Sequence, residues 1–341
     1  MRIGDRQITP ALPPYVIAEL GVNHDGSVER AAELVDAAAD AGADAIKLQL
    51  FQADRLLSRS AMLALYQRRA GANDPSALLR SLELTVEQMR PLVVRAHRRS
   101  LQAILTVFSV ELVRDAAVLD WDAYKVASPD IINRPLIIAM MKTGRPLLLS
   151  AGAATLDEVQ QAVRWVDDHP HVLMQCVSAY PTPDEHAALA GRFSLMEVDP
   201  FALGYSDHTT AIDIGAMAVA SGACVLEKHL TYDCIATGPD HASSLDPAGF
   251  AAYVRLARRA WSMMGPKEKR VLEVEKEVRL ISRQSLTASR DLPAGHVLHM
   301  KDVTIKRPGT GLSPALLDDV IGRRLVESVD ADTPLAEHHL R

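Results

Sequence analysis

Short apolar runs and amphipathic stretches alternate along this chain from about residue 15 to residue 264. Runs at 15–20, 45–51, 102–108, 123–127, 146–150, 172–177, 202–206 and 223–229 have strand length and are built largely from Val, Ile, Leu and Ala. The stretches between them carry helical spacing. In the first, Val28, Ala31, Ala32, Val35, Ala38 and Ala39 form one apolar stripe, and Gly42 supplies a stop. Two later stretches open with Thr85-x-x-Gln88 and Thr155-x-x-Glu158, capping boxes that satisfy backbone N–H groups otherwise without partners. Eight β-α repeats in about 250 residues predict a closed (β/α)8 TIM barrel. A doubly wound sheet usually has fewer strands and a glycine-rich phosphate loop, and neither G-x-G-x-x-G nor G-x-x-x-x-G-K-[ST] occurs.

After residue 264 the texture changes. Gly265-Pro266 ends the last helical stretch, and 267–283 is strongly charged. From Ser285 onward come short β-like pieces separated by turns, with a short helix expected near 316–321. The expected partition is a catalytic barrel over 1–264, a linker over 265–284 and a small β-rich module over 285–341. With so small a core, that module should lean on a partner surface.

Composition narrows the class. Hydrophobic residues make up 48% but aromatics only 4%, so Ala, Leu and Val must do most of the packing, as in helix-rich α/β proteins. A formal charge of -6 leaves no basic footprint for nucleic acid. No run approaches the roughly 20 apolar residues of a membrane span, and the N-terminus lacks an apolar signal core, so the chain reads as cytoplasmic. Its three cysteines include no CxxC pair. Cys176 and Cys224 fall in apolar runs and read as core; Cys234 reads as an incidental loop thiol.

Barrel enzymes keep their chemistry at the C-terminal ends of the strands. There the sequence places Glu19, Lys47 and Gln49, Thr106, Lys125 and Ser128, Ser150, Ser178 and Tyr180, Ser206 and His208, and Glu227 and His229, with Asp240 in the loop that follows. Each has an ordinary explanation alone: a lysine stem can cover apolar surface, and a serine can cap a helix. Two lysines inside apolar strands are harder to dismiss together, because a buried ammonium costs several kcal/mol unless it is paired. Lysines ringed by hydroxyls suggest phosphate or carboxylate, and two histidines with two glutamates suggest a divalent metal.

The blocks IAELGVNHDG, GADAIKLQLF, YKVASPDIIN, CVSAYPTP, GYSDHT, LEKHLT and GPDHASSLDP, followed by RPGTGLSP and IGRRL, resemble the sialic acid synthase family: N-acetylneuraminate synthases and their legionaminate and pseudaminate relatives. The resemblance spans nearly the whole chain, and the C-terminal module is similar to the antifreeze-like or SAF domain of those enzymes. It implies condensation of phosphoenolpyruvate with an open-chain N-acetylated hexosamine, giving phosphate and a nine-carbon 2-keto acid. It further implies a divalent ion, manganese or magnesium, on His208 and His229, and phosphoenolpyruvate on Lys47, Thr106, Lys125, Ser128, Ser150, Ser178 and Ser206. Glu19, Gln49, Tyr180, Glu227 and Asp240 would face the sugar or the attacking water. Arg307 would reach from one subunit into the barrel of the other, which implies a domain-swapped homodimer. Departures from the family pattern are Ser109 in place of an acid, Pro129 in place of a glycine, and Ala151 in SAGAA where STGMA is usual. Residues 52–75 are expected to help choose the sugar. Two other readings stay open: a Schiff-base aldolase using Lys47 or Lys125, and a carbohydrate- or ice-binding protein.

Overall fold

The computed structural model describes residues 1–58, 62, 74–200 and 202–341. The chain divides into two compact units, Met1–Gly265 and Pro266–Arg341.

In the first unit eight parallel strands close into a barrel. A hairpin of β1 (Arg2–Ile3) and β2 (Arg6–Gln7) precedes it. The barrel strands are β3 (Tyr15–Gly21), β4 (Ala45–Leu50), β5 (Gln102–Val107), β6 (Ala123–Val126), β7 (Leu147–Ser150), β8 (His171–Cys176), β9 (Leu203–Asp207) and β10 (Val225–His229). β10 pairs with β3 and shuts the ring. These are the eight expected runs, with ends displaced by one or two residues. They read as near-continuous apolar stretches because helices cover the outside and side chains fill the inside.

The helices form for the reasons the sequence offers. Val28–Asp40 starts at Ser27, whose side chain accepts from the Arg30 N–H, and buries Ala31, Leu34, Val35 and Ala38. Gly42, at φ +84°, turns the chain after it. Both capping boxes are made, at Thr85–Gln88 and at Thr155–Glu158.

Inside the barrel the polarity changes along the axis. Tyr15, Ile17, Ala45, Ile104, Ala123, Leu148, Val172, Met174 and Val225 pack into one apolar cluster, joined by Ile3 and Ile8 from the N-terminal hairpin. Continuing along the same strands at a spacing of two, these give way to Glu19, Lys47, Thr106, Lys125, Ser150, Cys176, Ser206 and Glu227. The period-two alternation of a strand thus carries the apolar floor directly into a polar chamber.

The second unit pairs β11 (Ser285–Ala288) with β12 (Val303–Lys306) antiparallel. An isolated bridge Thr287↔Pro334 adds to that sheet, and further isolated bridges join Leu292 to Val329, Val297 to Arg324 and Leu325 to Leu340. Leu286, Leu298, Val320, Leu325 and Leu335 anchor its own core. The expected short helix is Leu317–Val320, and the charged stretch expected as linker contains a helix at Lys276–Ser282. Among the described residues no helix is long and apolar enough to cross a membrane.

Candidate active site

A cavity of about 200 Å³ opens where the barrel strands end, lined by Lys47, Gln49, Thr106, Phe108, Lys125, Ala127, Ser128, Pro129, Ser150, Tyr180, His208, His229 and Asp240. A larger cleft of about 520 Å³, lined by residues such as Gly4, Arg6, Asp44 and Asp122, involves the hairpin and holds none of the expected site residues.

Two ion pairs occupy the chamber. Lys47 Nζ lies 2.8 Å from Glu19 Oε2 and donates to Thr106 Oγ1 at 3.0 Å, while Gln49 Nε2 donates to Glu19 Oε1 at 2.6 Å. Lys125 Nζ donates to Glu227 Oε1 at 2.6 Å and to Ser206 Oγ at 3.4 Å, and Ser206 donates to the same carboxylate oxygen at 3.0 Å. Burial works to raise the Glu227 carboxyl, but the Lys125 and Lys47 ammoniums hold it below the usual range. Burial also works to discharge Lys125, and Glu227 reverses that, raising its pKa. Glu19 goes the other way: burial raises it, aided by Glu227 and only partly offset by Lys47.

Next to Lys125, on the following strand ends, sits a group of small polar side chains. Ser128 Oγ donates to Ser150 Oγ at 3.0 Å and approaches Cys176 Sγ at 3.7 Å, and the Gly152 N–H donates to Ser128 Oγ at 3.1 Å. A Cβ at position 152 would stand 2.4 Å from Ser178 Oγ, 2.7 Å from Ser128 Oγ and 3.0 Å from Cys176 Sγ, so only glycine lets these groups converge. Ser178 is thereby placed beside Ser128, although it is not part of the cavity wall.

His208 and His229 face one another, ring centroids 5.5 Å apart, with the Tyr180 ring 4.2 Å from His208. His208 Nδ1 lies 2.8 Å from the Val177 carbonyl; as the donor of that bond it leaves Nε2 with a free lone pair. His229 Nδ1 and Glu227 Oε2 are buried without hydrogen-bond partners, and Asp240 Oδ2 lies 3.7 Å from that nitrogen. Burial, His208 and Lys47 keep His229 well below the usual imidazole range, so it stays neutral and fit to ligate. Burial and Glu19 push the Asp240 carboxyl up to about 6. Burial works to discharge His208, but Cys176 and the Val177 carbonyl raise its pKa, so that ring must give up a proton before it can ligate. With that proton gone, two imidazoles with buried carboxylate oxygens nearby offer donor types that suit a divalent ion.

At the edge, β3 bulges between Glu19 and Gly21. Gly21 has φ +51°, and a Cβ there would lie 3.1 Å from Glu19 Oε1, 3.2 Å from Gln49 Nε2 and 3.5 Å from Asp240 Oδ2. Three polar side chains close on one glycine.

Two family models match the chain: the NeuB family over residues 34–269 and the SAF domain over residues 283–341. The chain belongs to the NeuB family. Against the N,N'-diacetyllegionaminic acid synthase of Legionella pneumophila it is 34% identical, covering 96% of this chain and 94% of that protein. The solved N-acetylneuraminic acid (sialic acid) synthetase of Leptospira borgpetersenii superposes at a TM-score of 0.75 and 30% identity, covering 82% of this chain and 94% of that one. A putative spore coat polysaccharide biosynthesis protein E of Chromobacterium violaceum gives a TM-score of 0.82 at 25% identity, covering 96% and 99%. This NeuB-family chain is an enzyme of a group whose named relatives include synthases, and its C-terminal unit carries the SAF domain.

Of the expected site residues, the barrel of this NeuB-family enzyme gathers all but Arg307 around the chamber. Arg307 is exposed in the second unit, just after β12, outside the cavity lining. Of the departures, Pro129 is in the cavity wall, and Ala151 is buried next to Gly152. Ser109 caps the start of helix Val110–Ala116 in sequence but makes no capping bond, its hydroxyl buried without a partner. Most of the 52–75 stretch lies outside the described residues. Cys176, read as core, is buried as expected, and its Sγ also lies beside the chamber, 3.7 Å from His208 Nδ1. Burial opposes ionisation of its thiol, and His208, Lys125 and the Ser128 hydroxyl together more than offset this, bringing it down to about 7. The signal was present: Cys176 follows Val172 and Met174 at a spacing of two, on the inner face and at the open end of β8.

Proposed function

We propose that this enzyme condenses phosphoenolpyruvate with the open-chain form of an N-acetylated amino sugar, releasing inorganic phosphate and forming a nine-carbon 2-keto acid of the sialic acid class. The observation that carries this reading is the pair of buried ammoniums in one cavity. Lys47 and Lys125 each spend two donor directions on protein partners, and an ammonium has three. The third on each is available to a small, highly charged anion. The names of the Legionella and Leptospira relatives support the same chemistry.

Lys47 and Lys125 neutralise the phosphate and carboxylate of phosphoenolpyruvate, and Thr106, Ser128, Ser150, Ser178 and Ser206 fix its orientation. Gln49, Tyr180 and Asp240 face the acceptor sugar. His208 and His229 would hold a divalent ion, manganese or magnesium. Such an ion, when bound, polarises the sugar aldehyde toward attack. Carbon C3 of the enol bonds to the aldehyde carbon, water adds at C2, and the C2–O bond breaks as phosphate leaves. Glu19 or Glu227 orients that water and takes one of its protons, which passes to the new alkoxide, and the other leaves with the phosphate as the C2 hydroxyl becomes a ketone. Arg307 serves the acetamido group of a sugar bound in a second subunit, which makes the working form a homodimer.

Phosphate release is measured with phosphoenolpyruvate, manganese and, in turn, N-acetylmannosamine and two 6-deoxy-diacetamido sugars, with the product weighed by mass spectrometry. One sugar should give phosphate and a product heavier by the pyruvyl unit, with a bridging 18O label recovered in phosphate. An inactive Arg307→Ala variant mixed with an inactive His229→Ala variant should regain part of that activity. Absence of phosphate with every sugar, or full activity in excess chelator with borohydride trapping, would overturn the proposal in favour of another chemistry.

A further inference from the structure

We infer that Asn23 is a positioning residue whose buried amide pins the loop after β10 to the loop after β3 and so fixes the Asp240 carboxylate at the cavity. This rests on the reading of Asp240 as an acceptor-facing group. Asn23 is fully buried, and its Nδ2 donates to the Leu230 carbonyl at 2.9 Å and to Ser244 Oγ at 2.8 Å. Leu230 directly follows His229, so the first bond grips the chain as it leaves the barrel. Ser244 Oγ in turn donates to the Asp240 carbonyl at 2.6 Å. The excursion closes on itself between these points, through Thr231 N–H to the Leu245 carbonyl at 2.9 Å and Leu245 N–H to the His229 carbonyl at 3.0 Å. One amide therefore holds both stems of the loop that carries Asp240.

The orientation of that amide follows from its partner: a carbonyl oxygen can face only a donor, so Nδ2 must point at Leu230. Its Oδ1 is left buried with no partner. A side chain present only to fill space would carry no such orphan; the amide contributes two N–H directions diverging from one atom. A second fastening grips the neighbour of Asp240. His241 is fully buried, with Nε2 3.0 Å from Asp25 Oδ1 and Nδ1 2.7 Å from Thr231 Oγ1. Residues 240 and 241 are both tied to the loop after β3. The Asp240 carboxylate sits 3.7 Å from His229 Nδ1, where a displacement of about 1 Å is enough to cost a large factor in turnover.

The test compares Asn23→Ala and Ser244→Ala with the unaltered enzyme. Ser244→Ala keeps the bond to Leu230 and cuts the branch to Asp240. Both variants should raise the acceptor KM about tenfold while the phosphoenolpyruvate KM stays within about twofold, and Ser244→Thr, which keeps the hydroxyl, should restore the acceptor KM. Amide hydrogen exchange across residues 231–243 should accelerate in both, with the rest of the barrel unchanged. A parallel rise in both KM values, or unchanged exchange in 231–243, overturns the inference. If Asn23→Ala does not fold, the two Ser244 variants decide. Exchange needs no substrate: an unaltered enzyme that releases no phosphate with any acceptor defeats the functional reading, while exchange still decides the clasp.

Discussion

Lys125 keeps a charge in a chamber where its side chain is 7% exposed because Glu227 neutralises it. Removing one partner of such a pair leaves an uncompensated buried charge, which typically costs about 3–5 kcal/mol, whereas replacing both can be nearly neutral. Lys125→Met should therefore lower unfolding stability by about that amount, and Glu227→Gln added to it should recover most of the loss while phosphate release stays abolished. Urea unfolding of the single and double variants checks this; additive losses would mean that the two groups do not act as a pair. Glu19 on β3 and Lys47 on β4 repeat the arrangement, so the chamber balances two ammoniums with two carboxylates before any ligand arrives. The placement of Lys125 and Glu227 was legible in the sequence because charged residues interrupt apolar strands at the end where barrels do chemistry. That of Asn23 was not, since its bonds cross 207 and 221 positions of chain and leave no local pattern.

Among the elements, β10 shows how alternation separates chemistry from scaffold. Glu227 and His229 turn inward, while Lys228 turns out to meet Asp207 Oδ2 at 3.2 Å and the Thr209 carbonyl, fully buried under the Tyr253 ring. The eight barrel strands were legible because both faces are apolar over most of their length. The hairpin β1–β2 was not: two-residue strands are too short to show a period, yet Ile3 and Ile8 seal the barrel floor. In the SAF unit the buried Asp302 accepts from Arg290 at 2.8 Å and from the His299 N–H at 3.0 Å, and lies 2.7 Å from His296 Nε2. Burial raises its carboxyl, but His296, the His299 N–H and Arg290 together depress it well below the usual range. A depressed carboxylate contributes stability that is present above its unfolded pKa, about 4, and is lost as pH falls below it. Hydrogen exchange of residues 285–305 in the full chain should accelerate between pH 4 and more acid conditions, and Asp302→Asn should weaken protection while flattening that dependence. An unaltered acid response in the variant would assign the effect to other groups.

At the scale of the molecule, the barrel places an apolar floor beneath a charged mouth, so that one end is closed by side chains and the other opens into a polar cavity. A barrel can form without a reaction; on the proposed function, what separates enzyme from scaffold is the placement of two imidazoles beside two ammoniums. The most direct measurement is manganese-dependent phosphate release from phosphoenolpyruvate and the acceptor sugar by the unaltered enzyme, by His208→Ala and by His229→Ala, with circular dichroism confirming the fold of each. If the two rings hold the ion, the unaltered enzyme loses turnover on chelation and regains it with added manganese, while both folded variants stay inactive at any manganese concentration. Turnover in either variant equal to that of the unaltered enzyme would contradict it.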